Sequence, residues 1–121
     1  MKKVRTRFAP SPTGFLHIGS LRMIIFAYLT AKSQGGEFIL RLEDTDSKRK
    51  VEGAAEALYD ILKWIGIEFD EGPGIGGEFE PYIQSERKDI YHKHLKTLLD
   101  NNKAYHCFCT PERLTEIREV Q

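Results

Sequence analysis

A chain of 121 residues has the length of one domain, and 40% apolar with 30% charged residues suits a single water-soluble core rather than a disordered or fibrous segment. Lys plus Arg and Asp plus Glu number 18 each, so a formal net charge of zero excludes a globally basic nucleic-acid binder and leaves only local patches such as Lys48-Arg49-Lys50. No apolar run approaches the roughly 20 residues of a membrane span. The basic start Met1-Lys2-Lys3-Val4-Arg5 meets Phe8-Ala9-Pro10-Ser11-Pro12 instead of the apolar stretch of a secretion signal, so a cytoplasmic protein with no membrane partner is expected.

Residues 4–8 predict a short strand, which Pro10 and Pro12 end because proline lacks an N–H and fixes φ. Thr13-Gly14 extends the loop. From Ile18, apolar residues at Leu21, Ile24, Ile25, Tyr28 and Leu29 have the spacing of one helical face, and Gln34-Gly35-Gly36 closes that helix. Residues 37–42 read as a second strand, followed by the acidic turn Glu43-Asp44-Thr45-Asp46. A second helix is expected over 51–64, with Ala54, Leu58, Ile61, Leu62 and Ile65 on one side and Gly66 as terminator. A glycine-rich loop spans 71–77. Tyr82-Ile83-Gln84 fits a short strand, and Ser85 fits the N-cap of a third helix with Ile90, Tyr91, Leu95, Leu98 and Leu99 as its stripe and Asn101-Asn102 at its end. Residues 104–109 read as a last extended strand. Thr110-Pro111-Glu112 then combines a cap, a first-turn proline and an acid at the positive end of a helix dipole.

Strand–helix alternation of this kind predicts a mostly parallel α/β sheet with right-handed crossovers, whose ligands sit beyond the carboxyl ends of the strands. Two polar clusters fall at such ends. In the first, Arg7 to Ser20, a proline-stiffened loop enters a helix near Ile18, and a helix N-terminus offers unpaired N–H groups and a positive dipole end to an anion such as phosphate. Gly19 lets a ligand approach the backbone without meeting a Cβ, His17 can donate to charge developing on a phosphate, and Arg7 can hold a carboxylate through two parallel hydrogen bonds. An isolated His-x-Gly would be a solvated loop with Ser20 as a helix cap; the proline loop at this spacing argues for the site. In the second cluster, Glu43 is the candidate for function and Asp44 for structure, with Asp46 or Ser47 capping the next helix.

The stretch R-F-A-P-S-P-T-G-F-L-H-I-G-S-L-R (residues 7–22) resembles the N-terminal motif of class I glutamyl-tRNA synthetases, with His17-Ile18-Gly19-Ser20 as the "HIGH" element. Ser20 stands where many class I enzymes have a second histidine, and small residues there are usual in the glutamyl branch. G-G-E-F-I-L-R-L-E-D-T-D (35–46), F-D-E-G-P (69–73), Y-I-Q-S-E-R (82–87) and Y-H-C-F-C-T-P-E-R-L (105–114) extend the resemblance over nearly the whole chain. It implies an α/β Rossmann-like nucleotide-binding fold of the HUP type. Residues 1–101 would be the first half of the catalytic domain, and 102–121 the start of an inserted region that binds the acceptor stem.

The implied reaction activates L-glutamate with ATP to glutamyl-adenylate, then transfers it to the terminal adenosine of tRNA(Glu). Carried onto matching positions, Arg7, Ala9, Ser11 and Glu43 would line the glutamate pocket, with Arg7 on the side-chain carboxylate and Glu43 on the α-amino group. Pro10, Thr13, Gly14, His17, Gly19 and Ser20 would contact ATP, His17 and Ser20 taking part in catalysis. Thr45, Asp46 and Arg49 would meet the tRNA acceptor end. Mg2+ is expected to arrive with the nucleotide. The substrate carboxylate itself attacks the α-phosphorus, so the protein contributes positioning and charge stabilisation. Arg7, His17 and Glu43 are therefore expected to share one cleft.

Gly72 to Gly77 lacks the Gly-Lys-Ser/Thr ending of a phosphate loop and does not run from a strand into a helix, so it reads as a flexible loop. Cys107 and Cys109 are spaced wrongly for a mutual structural disulfide. They read either as half of a zinc site, which needs four ligands, or as two thiols on an extended segment. The Lys-x-Ser-Lys loop with which class I synthetases hold the ATP phosphates is absent from the 121 residues, so this stretch alone is expected not to aminoacylate tRNA. A monomer is expected. Two rivals stand beside this: a glutamyl-queuosine tRNA(Asp) synthetase paralogue, which attaches glutamate to a modified base and shares the H-I-G-S-L and E-D motifs but is less like G-G-E-F-I-L-R-L-E-D-T-D and D-E-G-P…Y-I-Q-S-E-R, and a non-catalytic binding module of the same fold, against which intact Arg7, His17 and Glu43 argue. Glutaminyl-tRNA synthetases typically carry P-P-E-P where this chain has Ala9-Pro10-Ser11-Pro12.

Overall fold

The computed structural model describes residues 3–120. These form two compact units, divided between Lys88 and Asp89. In the first, β1 (Arg5–Phe8) leads through the proline loop into α1 (Ile18–Ser33), β2 (Glu37–Leu40) and α2 (Ala54–Trp64), and a 3₁₀ turn follows at Gln84–Arg87. The second holds α3 (Lys88–Asp100, beginning at the boundary) and α4 (Pro111–Val120). No described helix is long and apolar enough to cross a membrane.

β1 and β2 pair in parallel, Arg5 opposite Glu37 and Phe8 opposite Leu40. The two-residue period of a strand decides what lies on either side of β2. Glu37 and Arg41 donate their N–H groups to Val4 and Phe8 on the β1 side. Leu40 and Leu42 donate the other way, to Glu71 and Tyr82, making single parallel bridges at Ile39–Glu71 and Leu42–Ile83. The core is Ile24 and Ala31 of α1, Phe38 and Leu40 of β2, Leu58 and Leu62 of α2, and Ile67. Tyr28 meets Phe38 edge-on at 5.7 Å. Thr6 donates its hydroxyl to Ala27 of α1.

Asp70 ties the segment after α2 to β2. Its carboxylate accepts from the Phe38 N–H at 2.7 Å and from Lys32 at 2.7 Å. Partial burial pushes that carboxyl up, but these donations outweigh it and hold the group below its ordinary range. A depressed native value means the contribution is complete above the unfolded value, near pH 4, and is lost as pH falls through the lower native one. Asp70→Ala is expected to cost about 1–3 kcal/mol, chiefly by stranding the Phe38 N–H. Urea denaturation at neutral pH measures that loss, and the gap between variant and parent should close under acid.

Several sequence expectations shift. Ile25 and Leu29 of α1 are exposed, at 39% and 56%, because the buried face runs through Ile24 and Ala31. The second helix begins at Ala54 rather than 51, since its cap, Gly53, has a left-handed φ of 76°. Ser85 is no N-cap: it lies inside the 3₁₀ turn, and its N–H and hydroxyl both go to Asp44. The strand expected at 82–84 reduces to the Ile83 bridge. Residues 104–109 form no strand among the described residues. Thr110 does cap α4, accepting from the Arg113 N–H at 3.3 Å, with Pro111 as the first helical residue.

Candidate active site

The proline loop delivers His17 to the N-terminus of α1 as its cap, in extended backbone conformation. The imidazole Nδ1 accepts from the Gly19 N–H at 3.1 Å, and Nε2 lies 3.2 Å from the Ser20 hydroxyl. With Nδ1 accepting, Nε2 is the nitrogen that carries an N–H, and the Ser20 hydroxyl is its neighbour. Gly19 leaves room for the ring. A Cβ there would stand 2.9 Å from Cε1 of His17 and 3.0 Å from Nδ1.

His17 and Ser20 line a cavity of about 250 Å³, with the loop from Pro10 to Leu16 on one side and Leu42, Ala54, Ala55 and Leu58 on the other. The loop is fastened at two points near its start: Glu43 donates its N–H to the Pro10 carbonyl at 2.8 Å, and Val51 to that of Pro12 at 2.9 Å. Pro10, Ser11, Thr13, Gly14, His17 and Ser20 thus meet around one hollow.

Arg7 is not in it. Arg7 lines a second cavity of about 180 Å³ with Arg5, Arg41, Arg87, Phe79 and Tyr82. The single cleft expected for Arg7, His17 and Glu43 is not formed: His17 and Arg7 line different hollows, and Glu43 lines neither of the two. β1 and β2 alternate faces, which puts Arg5 and Arg7 on the side away from Thr6 and α1, and Leu42 in the first hollow while Arg41 lines the second. Three of the four guanidiniums there are engaged. Arg5 grips buried Glu71 through both nitrogens, at 2.8 and 2.9 Å, and reaches Glu37 at 2.8 Å. Arg41 pairs with Glu43 at 3.1 Å and donates to Gln84. Arg87 donates to the carbonyls of Phe79 and Pro81. Among the described residues, no hydrogen bond or ion pair engages Arg7.

The floor of this hollow is set electrostatically. Burial pushes the Glu71 carboxyl up, but donations from the Tyr82 hydroxyl and from Arg5 hold it below the ordinary range. The Arg5 guanidinium is raised by the same contact. Burial and the neighbouring carboxylate together raise the Tyr82 phenol.

The acidic run offers no open cluster for a metal. Glu43 is paired with Arg41, Asp44 accepts from Ser85, and Asp46 holds Arg49 at 2.6 Å. The Arg49 contact draws the half-buried Asp46 carboxyl below its usual range. Thr45 closes the turn, its carbonyl accepting from the Ser47 N–H. Cys107 and Cys109 are both exposed. No three His, Cys, Asp or Glu side chains among the described residues could hold an ion together. A tetrahedral zinc site needs four ligands, so two thiols do not make one by themselves.

The catalytic-domain family described as tRNA synthetases class I (E and Q) matches residues 3–121. The chain belongs to this family. As a class I synthetase segment it is 57% identical over 117 residues to the glutamate–tRNA ligase of Clostridium tetani, covering 97% of this chain and 24% of that protein. To the glutamate–tRNA ligase of Chloroherpeton thalassium it is 58% identical over 118 residues, covering 98% and 24%. Among solved structures it superposes on a glutamate–tRNA ligase from Elizabethkingia meningosepticum, crystallised in complex with its amino acid, with a TM-score of 0.90 and 51% identity, covering 98% and 24%. The chain spans about a quarter of the length of these relatives. Its α/β architecture is the Rossmann-like one of the class I catalytic domain.

Sequence reasoning missed Arg41, Gln84 and Ser85 around Glu43, and the α2 residues that wall the first hollow. Strand alternation would have put Arg41 on the Arg7 face. The contacts of residues 84 and 85 span more than 40 positions and leave no local signal.

Proposed function

We propose that this chain forms part of a glutamate–tRNA ligase, which activates L-glutamate with ATP and transfers it to the terminal adenosine of tRNA(Glu). The observation that supports this best is a pair of small hollows, one on the sheet face with a guanidinium that has no partner among the described residues, the other at the histidine-capped N-terminus of α1. Each is smaller than the roughly 300 Å³ at which ligand sites begin. A two-part substrate fits that arrangement: the glutamate side chain at Arg7, the nucleotide phosphates at the start of α1.

In this reading Arg7 takes the side-chain carboxylate and Glu43 the α-ammonium, with Ala9 and Ser11 along the chain between them. The glutamate α-carboxylate oxygen bonds to the α-phosphorus and pyrophosphate leaves with the electrons of the broken P–O bond. The Nε2–H of His17 donates to the phosphate oxygens as charge builds, with Ser20 orienting the ring and the loop at Pro10, Thr13 and Gly14 shaping the nucleotide site. Mg2+ accompanies ATP. Thr45, Asp46 and Arg49 face the acceptor end of the tRNA, and residues 102–121 begin the region that grips the acceptor stem, where Cys107 and Cys109 would supply two of the four ligands a zinc ion needs. The protein works in the cytoplasm as a monomer.

The test is charging of tRNA(Glu) with labelled glutamate by the natural gene product. Label is expected on intact tRNA(Glu) and not on a transcript lacking its terminal adenosine. Transfer to tRNA(Asp) that lacks its terminal adenosine would overturn the assignment in favour of base attachment. Gly19→Ala supplies a finer check. Alanine favours the helix, yet its Cβ must push the His17 ring off its position. Glutamate-dependent ATP–pyrophosphate exchange, with tRNA present, should fall roughly 10- to 100-fold while the helical circular dichroism is retained.

A further inference from the structure

Glu43 sits one residue beyond the last bridge of β2, at the start of a polar turn, where a side chain would ordinarily be mobile. The segment 82–85 prevents that. Leu42 donates its N–H to the Tyr82 carbonyl at 2.9 Å, and Gln84 returns its own N–H to the Leu42 carbonyl at 2.8 Å. On one flank of Glu43, Gln84 accepts from the Arg41 guanidinium, whose Nε stands 3.1 Å from the Glu43 carboxylate. On the other flank, Ser85 donates to the Asp44 carboxylate twice, from its N–H at 2.8 Å and from its hydroxyl at 2.6 Å. Across the loop, the Glu43 N–H is held by the Pro10 carbonyl.

We propose that Gln84 and Ser85 form a clamp that grips both neighbours of Glu43 and so sets where its carboxylate meets the α-ammonium of the amino-acid substrate. Asp44, Ser85, Gln84 and Arg41 are then positioning residues that act through Glu43. This rests on the reading of the chain as an amino-acid-activating enzyme, and it assigns a task to Y-I-Q-S-E-R, which lies 39 residues or more along the chain from Glu43. The acid next to Glu43 also acquires a reason for its chemistry. A carboxylate accepts two donors from one serine at once, and each such charge-assisted bond is short and directional.

The clamp is tested in the natural gene product by amino-acid-dependent ATP–pyrophosphate exchange with tRNA present. Asp44→Ala is expected to raise KM for glutamate about tenfold, with KM for ATP and the thermal midpoint little changed. Ser85→Ala keeps the N–H donor and should raise it about threefold. The double variant should be no worse than Asp44→Ala, because both remove one contact. Asp44→Asn, which retains an acceptor, should recover part of the loss. Glutarate, which has both carboxylates and no amine, separates this from general loosening: as a competitive inhibitor it should bind all variants equally. A matching rise in the glutarate inhibition constant, or an unchanged KM for glutamate in both single variants, overturns the clamp. If the parent activates a different amino acid, the glutamate assignment falls. The clamp then stands or falls on the KM for that amino acid. Exchange with none of the twenty ends both.

Discussion

Arg7→Ala is expected to lower kcat/KM for glutamate by roughly two to three orders of magnitude with almost no change in stability. Arg5 and Arg7 are neighbours two residues apart on one face of β1. Arg5 and Arg7 line the same hollow, but Arg5 spends its charge on buried Glu71 and on Glu37. Arg7 has no such partner among the described residues, and it is exposed. Removing it strands nothing inside the protein, so stability should hold to within about 0.5 kcal/mol. It would strand the carboxylate of a bound substrate. Arg7→Lys should recover little, because an ammonium cannot reproduce the paired donors of a guanidinium. Arg5→Ala should behave the opposite way, costing about 3 kcal/mol of stability by leaving Glu71 buried and uncompensated. Steady-state exchange kinetics and urea melts on the same four proteins give the comparison. Loss of stability in Arg7→Ala equal to that in Arg5→Ala would remove the reason for placing a substrate anion at Arg7.

That contrast also marks how far the sequence could be read. The first strand, α1, the loop between them and the motif residues were legible because each is coded locally: prolines stop β1, His17 and Gly19 stand at the helix start, and apolar spacing sets α1. The split between the two hollows was not legible from chain position. Arg7 and His17 lie ten positions apart, yet strand alternation sends Arg7 to one face and the loop returns His17 to the carboxyl end. Ser85 misled for a different reason. A serine before a run of helical spacing suits an N-cap by local rules, but Asp44 offers it a charged acceptor from 41 residues away, and that bond wins. Asp44 itself read correctly as structural, although its partner could not be named. Residues 104–109 have the composition of a strand, and β-composition without a partner edge forms none.

His17→Ala should lower the exchange rate about 100- to 1000-fold, mostly in kcat, the usual cost of losing one donor aimed at developing charge. The same substitution removes a helix cap, since Nδ1 no longer accepts from the Gly19 N–H, and should cost about 1 kcal/mol of stability. The two nitrogens carry the two roles, so they can be separated. His17→Asn supplies one of the best capping side chains, and its short amide can meet the Gly19 N–H but cannot extend a donor to where Nε2 stands. Stability should therefore return in His17→Asn while the rate stays low, and KM for glutamate should move little in either variant because Arg7's hollow is untouched. Recovery of the rate together with the melting temperature would make His17 a cap and nothing more. A phosphate site at the start of α1 would then have to rest on backbone N–H groups alone.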